Sequence, residues 1–368
     1  MSTLKVGAIR GVSASSDAIT VANDGTATAN ITNRQHRNLI INGAMNIHQR
    51  ATSSYTLNSG GTTAAYPVDR FKMYTGNGTI VASQSTTVPA GQGFAKSIKL
   101  ACTATDASPS AETYLQYLPE SQDFVHLAYG TSGAKTVTVS FWVRSSLAAT
   151  YGFYYYMPDT NRAYQTTFTI SSQNTWEKKT LTIVGDTAGS GFNNDNGIAA
   201  EIRIYLANGP GSSGSAHQNA WGTDATNRLP DATNFVSSTS NDFYITGFQM
   251  EAGTVATDFE FKSFNEELAL CRRYYYKSFP YDIVPARNLG NTDSIFFPVV
   301  SGYNGAIHLD ISMRTAPTIT FYNPSADNGS NSSSGAGANN RSTDNGIFIE
   351  WGNVAGNSYC QLVAEAEL

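Results

Sequence analysis

Charge is scarce in this sequence. Asp, Glu, Lys and Arg make up 14% of its 368 residues, far below the roughly 25% of an average globular chain. A disordered, solvating chain needs high charge and few aromatics. Here aromatics reach 11%, with 20 Tyr and 18 Phe, which excludes that class. The polar residues that are plentiful, Ser, Thr, Asn and Gly, suit strands joined by turns better than helices. Cysteine is also scarce: Cys102, Cys271 and Cys360 are odd in number and far apart, so they make neither a disulfide framework nor a CxxC site. Long apolar runs are missing. No segment approaches the roughly 18 residues of a membrane span, and Met1 to Arg10 lacks the apolar stretch of a signal peptide. Synthesis in a reducing cytoplasm, without membrane insertion or general secretion, is the expectation. Positive charge is in deficit, with a net charge of -5 and a pI near 5.5. An acidic chain gains nothing from counterion release at phosphate, so nucleic acid is not an expected partner.

Catalytic and metal motifs are missing too. The histidines, His36, His48, His126, His217 and His308, are scattered, and there is no HExxH, no Gly-x-Ser-x-Gly and no Walker loop. No cofactor and no metal are expected. Glycoside hydrolysis needs only two carboxylates about 5 to 10 Å apart. Asp159, Glu201, Asp224 and Asp242 could supply them, but nothing promotes one pair above the rest, and the chain is expected not to be an enzyme.

The first 37 residues carry short apolar pairs between small polar residues. Residues 1–50 hold five bases (Lys5, Arg10, Arg34, Arg37, Arg50) against two acids (Asp17, Asp24), a local +3 that leaves -8 on the remainder. Such a segment buries too little apolar surface to fold alone. It is either a disordered arm or an extended strand ordered by other copies or by a host particle. Ile19 and Val21 alternate, and Asn23-Asp24-Gly25 has hairpin chemistry. A weakly basic leader on an acidic body also suits docking to an acidic surface.

From Asn38 the texture changes. Asn38-Leu39-Ile40-Ile41-Asn42-Gly43 reads as an apolar strand ending in a turn. Val137, Val139, Phe141 and Val143 alternate with Thr138, Ser140, Trp142 and Arg144. Ile202, Ile204 and Leu206 alternate with Glu201, Arg203 and Tyr205, and Leu181/Ile183 and Phe243/Ile245 continue the pattern. One buried face and one wet face per strand is the pattern of an antiparallel sandwich. Residues 38–262 are therefore read as a mainly β, jelly-roll β-sandwich. Phe261, Phe264, Leu268, Cys271 and Tyr275 recur at spacings of 3 and 4, with Ser263 and Glu266 as a capping box. The segment 263–278 is either an amphipathic helix lying on a sheet or an oligomer seam about a three-fold axis. Residues 279–368 read as a smaller C-terminal β-domain. Its strands lie near 295–300, 306–311, 318–322 and 346–351, with a Gly/Ser/Asn surface loop over 323–346.

Sugars are gripped by a flat ring on their apolar face and by planar polar groups on their hydroxyls. Trp142, Arg144, Arg203 and Tyr205 lie on outward positions of the alternating strands. The run Tyr154-Tyr155-Tyr156 must turn at least one ring outward, and Trp221 sits in a Gly/Ser/Asn loop. These residues, with both Tyr154 and Tyr156, form the candidate glycan site.

Several stretches resemble fibre proteins of tailed bacteriophages, especially marine phages of the cyanobacterial kind. They are LKVGAIRGVSASSDAITVANDGTATANITNR (4–34), NLIINGAMNIHQRATS (38–53), YPVDRFKMY (66–74), SFWVRSS (140–146), FYITGFQMEAGTVATDFE (243–260), EELALCRRYYYKS (266–278), MRTAPTITFYNP (313–324) and VAEAEL (363–368). The resemblance implies a homotrimeric virion protein, assembled in the infected host cytoplasm. Residues 1–37 would attach it to other virion proteins, and the body would contact a host-surface carbohydrate. A tail fibre is the first expectation. A capsid-attached fibre or a polysaccharide depolymerase is the alternative.

Overall fold

The computed structural model describes residues 6–12, 18–21, 23, 27–29, 36–209, 219–223, 233–286, 295–297, 304–322, 336–338, 342–351 and 358–368. In chain order, a small leader sheet holds β1 (Ala8–Ile9), β2 (Ile19–Val21) and β3 (Ala27–Ala29). The body follows with β4 (Tyr55–Asn58), β5 (Ala64–Val68), β6 (Phe71–Thr75), β7 (Thr79–Ser85), β8 (Ser97–Ala104), β9 (Thr113–Tyr117), β10 (Val137–Ser145) and β11 (Thr150–Met157). It continues with β12 (Arg162–Thr169), β13 (Glu177–Ile183), β14 (Glu201–Ala207), β15 (Trp221–Gly222) and β16 (Asp242–Ala252). Helix α1 (Phe264–Arg272) leads to β17 (Tyr275–Lys277), β18 (Ile295–Phe297), β19 (Asn304–His308), β20 (Thr318–Tyr322), β21 (Ala336–Ala338), β22 (Gly346–Trp351) and β23 (Ser358–Glu365).

The body is an antiparallel β-sandwich. One sheet has the order β13-β10-β16-β8-β7-β4, the other β15-β12-β11-β14-β9-β6-β5. Period-2 alternation explains the layering. Val137, Val139, Phe141 and Val143 point inward from one sheet and meet Phe153, Tyr155, Ile202 and Ile204 of the other in one continuous core. Phe141 lies parallel to Phe248 at a ring separation of 5.4 Å, and Tyr151 packs on Phe168 and Phe243. The leader forms the expected hairpin, with Val21 opposite Ala27, and Val6 and Ile9 are exposed.

Residues 38–43 differ from the expected strand. Asn42 has φ +61° and Met45 φ +59°, values that break an extended run. Polar side chains decide the conformation. Asn38 Oδ1 accepts from the backbone N–H groups of Ile40 and Met250 at 3.0 Å. Asn42 Nδ2 donates to the carbonyls of Ile47 and Asp69 at 2.8 and 2.9 Å. Local side-chain bonding of this kind competes with the sheet ladder.

Segment 263–278 is only partly helical. Ser263 Oγ caps α1 by accepting from Glu266 N at 3.2 Å, as expected. The helix ends at Arg272, and Tyr275–Lys277 pairs with β23 as Tyr275↔Glu365 and Lys277↔Val363. This corrects the reading of one continuous seam. Phe261 precedes the helix, Tyr275 lies in a strand, and Cys271 and Tyr275 are buried inside this chain. Strand pairing with β23 outweighs the local helical periodicity. Phe264 is half exposed and Leu268 half-buried.

In the C-terminal part, β20 and β18 also pair with β23, while β19 and β21 flank β22. A small core gathers Leu309, Met313, Phe321, Ile347, Leu362 and Ala364. Within the expected loop 323–346, β21 pairs with β22; residues 323–335 and 339–341 lie outside the described residues, as do 298–300 of the expected strand.

Buried charge joins this part to the sandwich. Arg50 lies over the rings of Tyr66 and Tyr275 at 4.4 and 4.0 Å and pairs with Glu365 at 2.6 Å. Arg70 pairs with Glu367 and lies 3.4 Å from the centroid of Tyr274. Gln49 bridges Asp69 and the carbonyl of Tyr275 at 2.7 Å each. The stretches 38–53, 66–74 and 363–368, remote in sequence, meet here.

Candidate functional site

The alternating strands place the expected sugar-binding residues on two opposite outer faces. Trp142 and Arg144 project from β10 on the six-stranded sheet. Tyr154, Tyr156, Arg203 and Tyr205 project from β11 and β14 on the seven-stranded sheet. The core lies between them, so they are not one site.

On the seven-stranded sheet the register aligns Gln165, Tyr154, Arg203, Gln116 and Lys72 in a single cross-strand row. Tyr205, Tyr114 and Tyr74 form the row beside it, with Tyr74 stacked on Tyr114 at 5.0 Å. This face is largely covered: Tyr154 is 1% and Tyr205 0% exposed, and Arg203 is buried. Arg203 pairs with Glu201 and with Glu112. Burial opposes its charge, but the neighbouring Tyr205 and Glu201 more than compensate and raise its pKa above the ordinary arginine value. Tyr156 is half-buried and packs against Tyr154.

Trp221 is turned inward, contrary to the expectation of an outward ring in a loop. It pairs with Tyr164 across β12–β15, and its Nε1 donates to the carbonyl of Val184 at 2.7 Å. Its ring packs edge-on against Tyr129 and Tyr155. Pairing at the sheet edge gives the indole a hydrogen-bond partner, and with it a place against the core.

The outer face of the six-stranded sheet holds an open pocket of about 240 Å³. Its floor is Ser140 and Gly247, and its walls are Trp142, Lys178, Gln92 and Asp258, with Phe94, Phe259 and Phe261 at one end. A bulge builds the floor. Between β10 and β16 the register slips from Ser140↔Gln249 to Trp142↔Thr246. Gly247 there has φ +63°, and a Cβ on it would stand 2.6 Å from the Phe94 ring. Only glycine lets Phe94 lie so close. Phe94, Phe259 and Phe261 then close on one another with centroids 4.9 to 5.1 Å apart. Phe261, expected at an oligomer seam, is thus part of the pocket rim.

Beside the pocket the aromatic surface continues. Lys178 stands directly opposite Trp142, and Trp176 lies two residues away on the same strand edge. The Trp176 ring meets Tyr244 edge-on at 6.2 Å. Arg144 lies over Tyr244 at 5.0 Å, and its Nε donates to the carbonyl of Asn174 at 2.9 Å. Trp142 and Trp176 thus form an aromatic track across the strand pair, offset from each other by two residues, or about 7 Å along the strand direction. Trp176, Lys178, Gln92, Phe94 and Phe259 were not singled out in the sequence, and Phe261 was singled out only for the seam. The alternation of Trp176-Glu177-Lys178 was a usable signal, whereas the phenylalanines meet only through the bulge.

The three candidate carboxylates among the described residues, Asp159, Glu201 and Asp242, are not gathered. Glu201 pairs with Arg203 on one face and Asp242 with Lys99 on the other, and Asp159 accepts from Asn193 at 2.7 Å. Asp224 lies outside the described residues. Among the described residues no group of three His, Cys, Asp or Glu side chains could hold a metal ion.

No protein-family model matches this sequence, and no curated protein sequence does. Among solved structures, similarity extends to the enzymatically active domain of tailspike protein 4 of bacteriophage CBA120, at 11% identity and TM-score 0.32. That match covers 59% of this chain and 22% of the tailspike chain. A family 11 carbohydrate-binding module from Clostridium thermocellum, in complex with a β-1,3-1,4-mixed-linked tetrasaccharide, matches at 13% identity over 56% of this chain and 98% of its own, TM-score 0.25. TmCBM61 in complex with β-1,4-galactotriose matches at 9% identity over 59% and 99%, TM-score 0.23. Likenesses at this level decide nothing about chemistry.

Proposed function

We propose that this chain is a glycan-binding structural protein of fibre type, carried on a phage virion and attached through residues 1–37. The observation that carries the binding reading is the Trp142 pocket. It combines an accessible indole with Gln92, Ser140, Lys178 and Asp258, which can donate to and accept from hydroxyls. At about 240 Å³ the pocket is smaller than the roughly 300–1,000 Å³ of drug-sized sites. It suits one ring of a longer chain lying on the surface. Weak single-site binding fits a particle that presents many copies, because simultaneous engagement multiplies avidity. In this reading the chain works as a homotrimer, and a tail fibre is favoured over a capsid fibre by the resemblance alone.

The test is a glycan array probed with the purified full chain, followed by titration of the best oligosaccharide. Trp142→Ala should weaken that binding by roughly 30-fold, the loss expected of a central aromatic contact. Binding unaffected by the substitution would move the site elsewhere, and an array with no bound glycan would end the reading.

A further inference from the structure

We infer that the glycan taken by the Trp142 face is acidic, carrying a carboxylate or sulfate on the ring that lies between Trp142 and Trp176. The inference rests on the glycan-binding reading and adds its charge class. The chain as a whole is acidic, at -5, yet this track is flanked by cations. Lys178 stands opposite Trp142 on the neighbouring strand, on the pocket wall. Arg144 follows Trp142 by two residues, on the same face, with its guanidinium held over Tyr244. Neither has a carboxylate partner among the described residues. Among the described residues Arg144 bonds to the carbonyl and side-chain oxygen of Asn174, at 2.9 and 3.3 Å.

On the same face Lys99, by contrast, is paired with Asp242 at 3.4 Å. Lys178, across the strand pair from Trp142, and Arg144, two residues along its own strand, form a region that favours an anion. Asp258, the acid that lines the pocket, disfavours an anion near itself. It therefore sets polarity: a ring hydroxyl donates to Asp258, and the acidic substituent faces Lys178 and Arg144. The guanidinium of Arg144, already oriented by Asn174 and Tyr244, presents a planar set of donors suited to a carboxylate or sulfate.

The experiment titrates the full chain with three oligosaccharides of matched length: an oligogalacturonate, a sulfated oligogalactan and a neutral oligogalactan. Each is measured at low and at high salt. One or both acidic probes should bind at least tenfold more tightly than the neutral one, and the advantage should shrink with salt. Lys178→Gln and Arg144→Gln should each lower acidic-probe affinity by roughly tenfold, the scale of one charge-assisted hydrogen bond, and lower neutral-probe affinity by clearly less, so that the acidic preference shrinks. The two acidic arms separate carboxylate from sulfate. Equal binding of all three probes, sensitive to Trp142→Ala but not to the charge substitutions, would overturn the acidic inference and leave glycan binding standing. Binding to none of the probes, with a neutral glycan found on the array, would overturn it as well.

Discussion

Arg273 grips Glu120 with two nitrogens, Nε at 2.6 Å and Nη2 at 2.7 Å, across a sequence separation of 153 residues. Tyr274 Oη adds a third bond to the same carboxylate at 2.6 Å. The Glu120 side chain is wholly buried. Burial alone would raise its pKa, but the bonds from Arg273 and Tyr274 outweigh burial and hold it below the ordinary carboxylate range. This is one bolt between the sandwich and the segment that leads to the C-terminal sheet.

Arg273→Ala leaves that carboxylate buried without its cation. The expected cost is about 3 kcal/mol, since removing one member of a buried pair is far worse than replacing both. Thermal unfolding with and without the substitution measures it. Because the folded-state pKa is depressed, the parent retains this contribution above the ordinary glutamate range. It is lost as pH falls through the lowered value. The gap between parent and variant should therefore narrow in strong acid.

Glu367→Ala should act at a second bolt. Arg70, with its side chain 1% exposed, loses its carboxylate partner. A loss of about 3 kcal/mol is expected, with faster proteolysis of the C-terminal strands. Glu367→Gln, which keeps an acceptor, should cost less. Equal stability of Glu367→Ala and the parent would mean that the tail does not fasten the sheet.

His48 is buried beside Arg50, Lys277 and Lys96. Burial first, then these cations, lower its pKa to about 4. The folded state thus resists a proton that the unfolded chain accepts near pH 6.5. Its contribution is complete above that pH and is lost as pH falls toward 4. His48→Gln should gain on the parent by about 2 kcal/mol between pH 7 and pH 5. Denaturant midpoints at both pH values check this, and a constant difference would sink it.

Gly247→Ala should both destabilise the protein and spoil the pocket. The residue must hold φ +63°, and its Cβ would strike the Phe94 ring at 2.6 Å. A loss of about 1–3 kcal/mol is expected. Glycan affinity should fall even where the protein remains folded, because Phe94, Phe259 and Phe261 move together.

Oligomerisation is tested on Phe264 and Leu268. Phe264 is half exposed and meets Tyr281 edge-on at 5.3 Å. If the chain is the proposed homotrimer and this helix lies at its contact, Leu268→Glu should convert a three-chain mass to a single-chain mass in sedimentation, with the sandwich still folded. A single-chain mass for the parent would end the trimer proposal, and a variant that keeps a three-chain mass and its stability would take the helix out of the contact.

The sequence by itself determined the layers. Alternation in 137–145 and 201–206 dictates which side chains face the core, because successive residues of a strand point to opposite sides whatever the neighbouring strand is. The cap at Ser263 and the hairpin of the leader were legible for a similar reason: each depends on residues within a few positions. Tertiary structure alone decided which outward residues share a face. Trp142 and Arg203 both alternate outward, yet they stand on opposite sides of the sandwich because β10 and β14 belong to different sheets. It also turned Trp221 inward, ended α1 where β23 could pair with Tyr275, and set Phe94 over Gly247 through a bulge. Pairing partners and bulges arise between segments distant in the chain, and no local period encodes them.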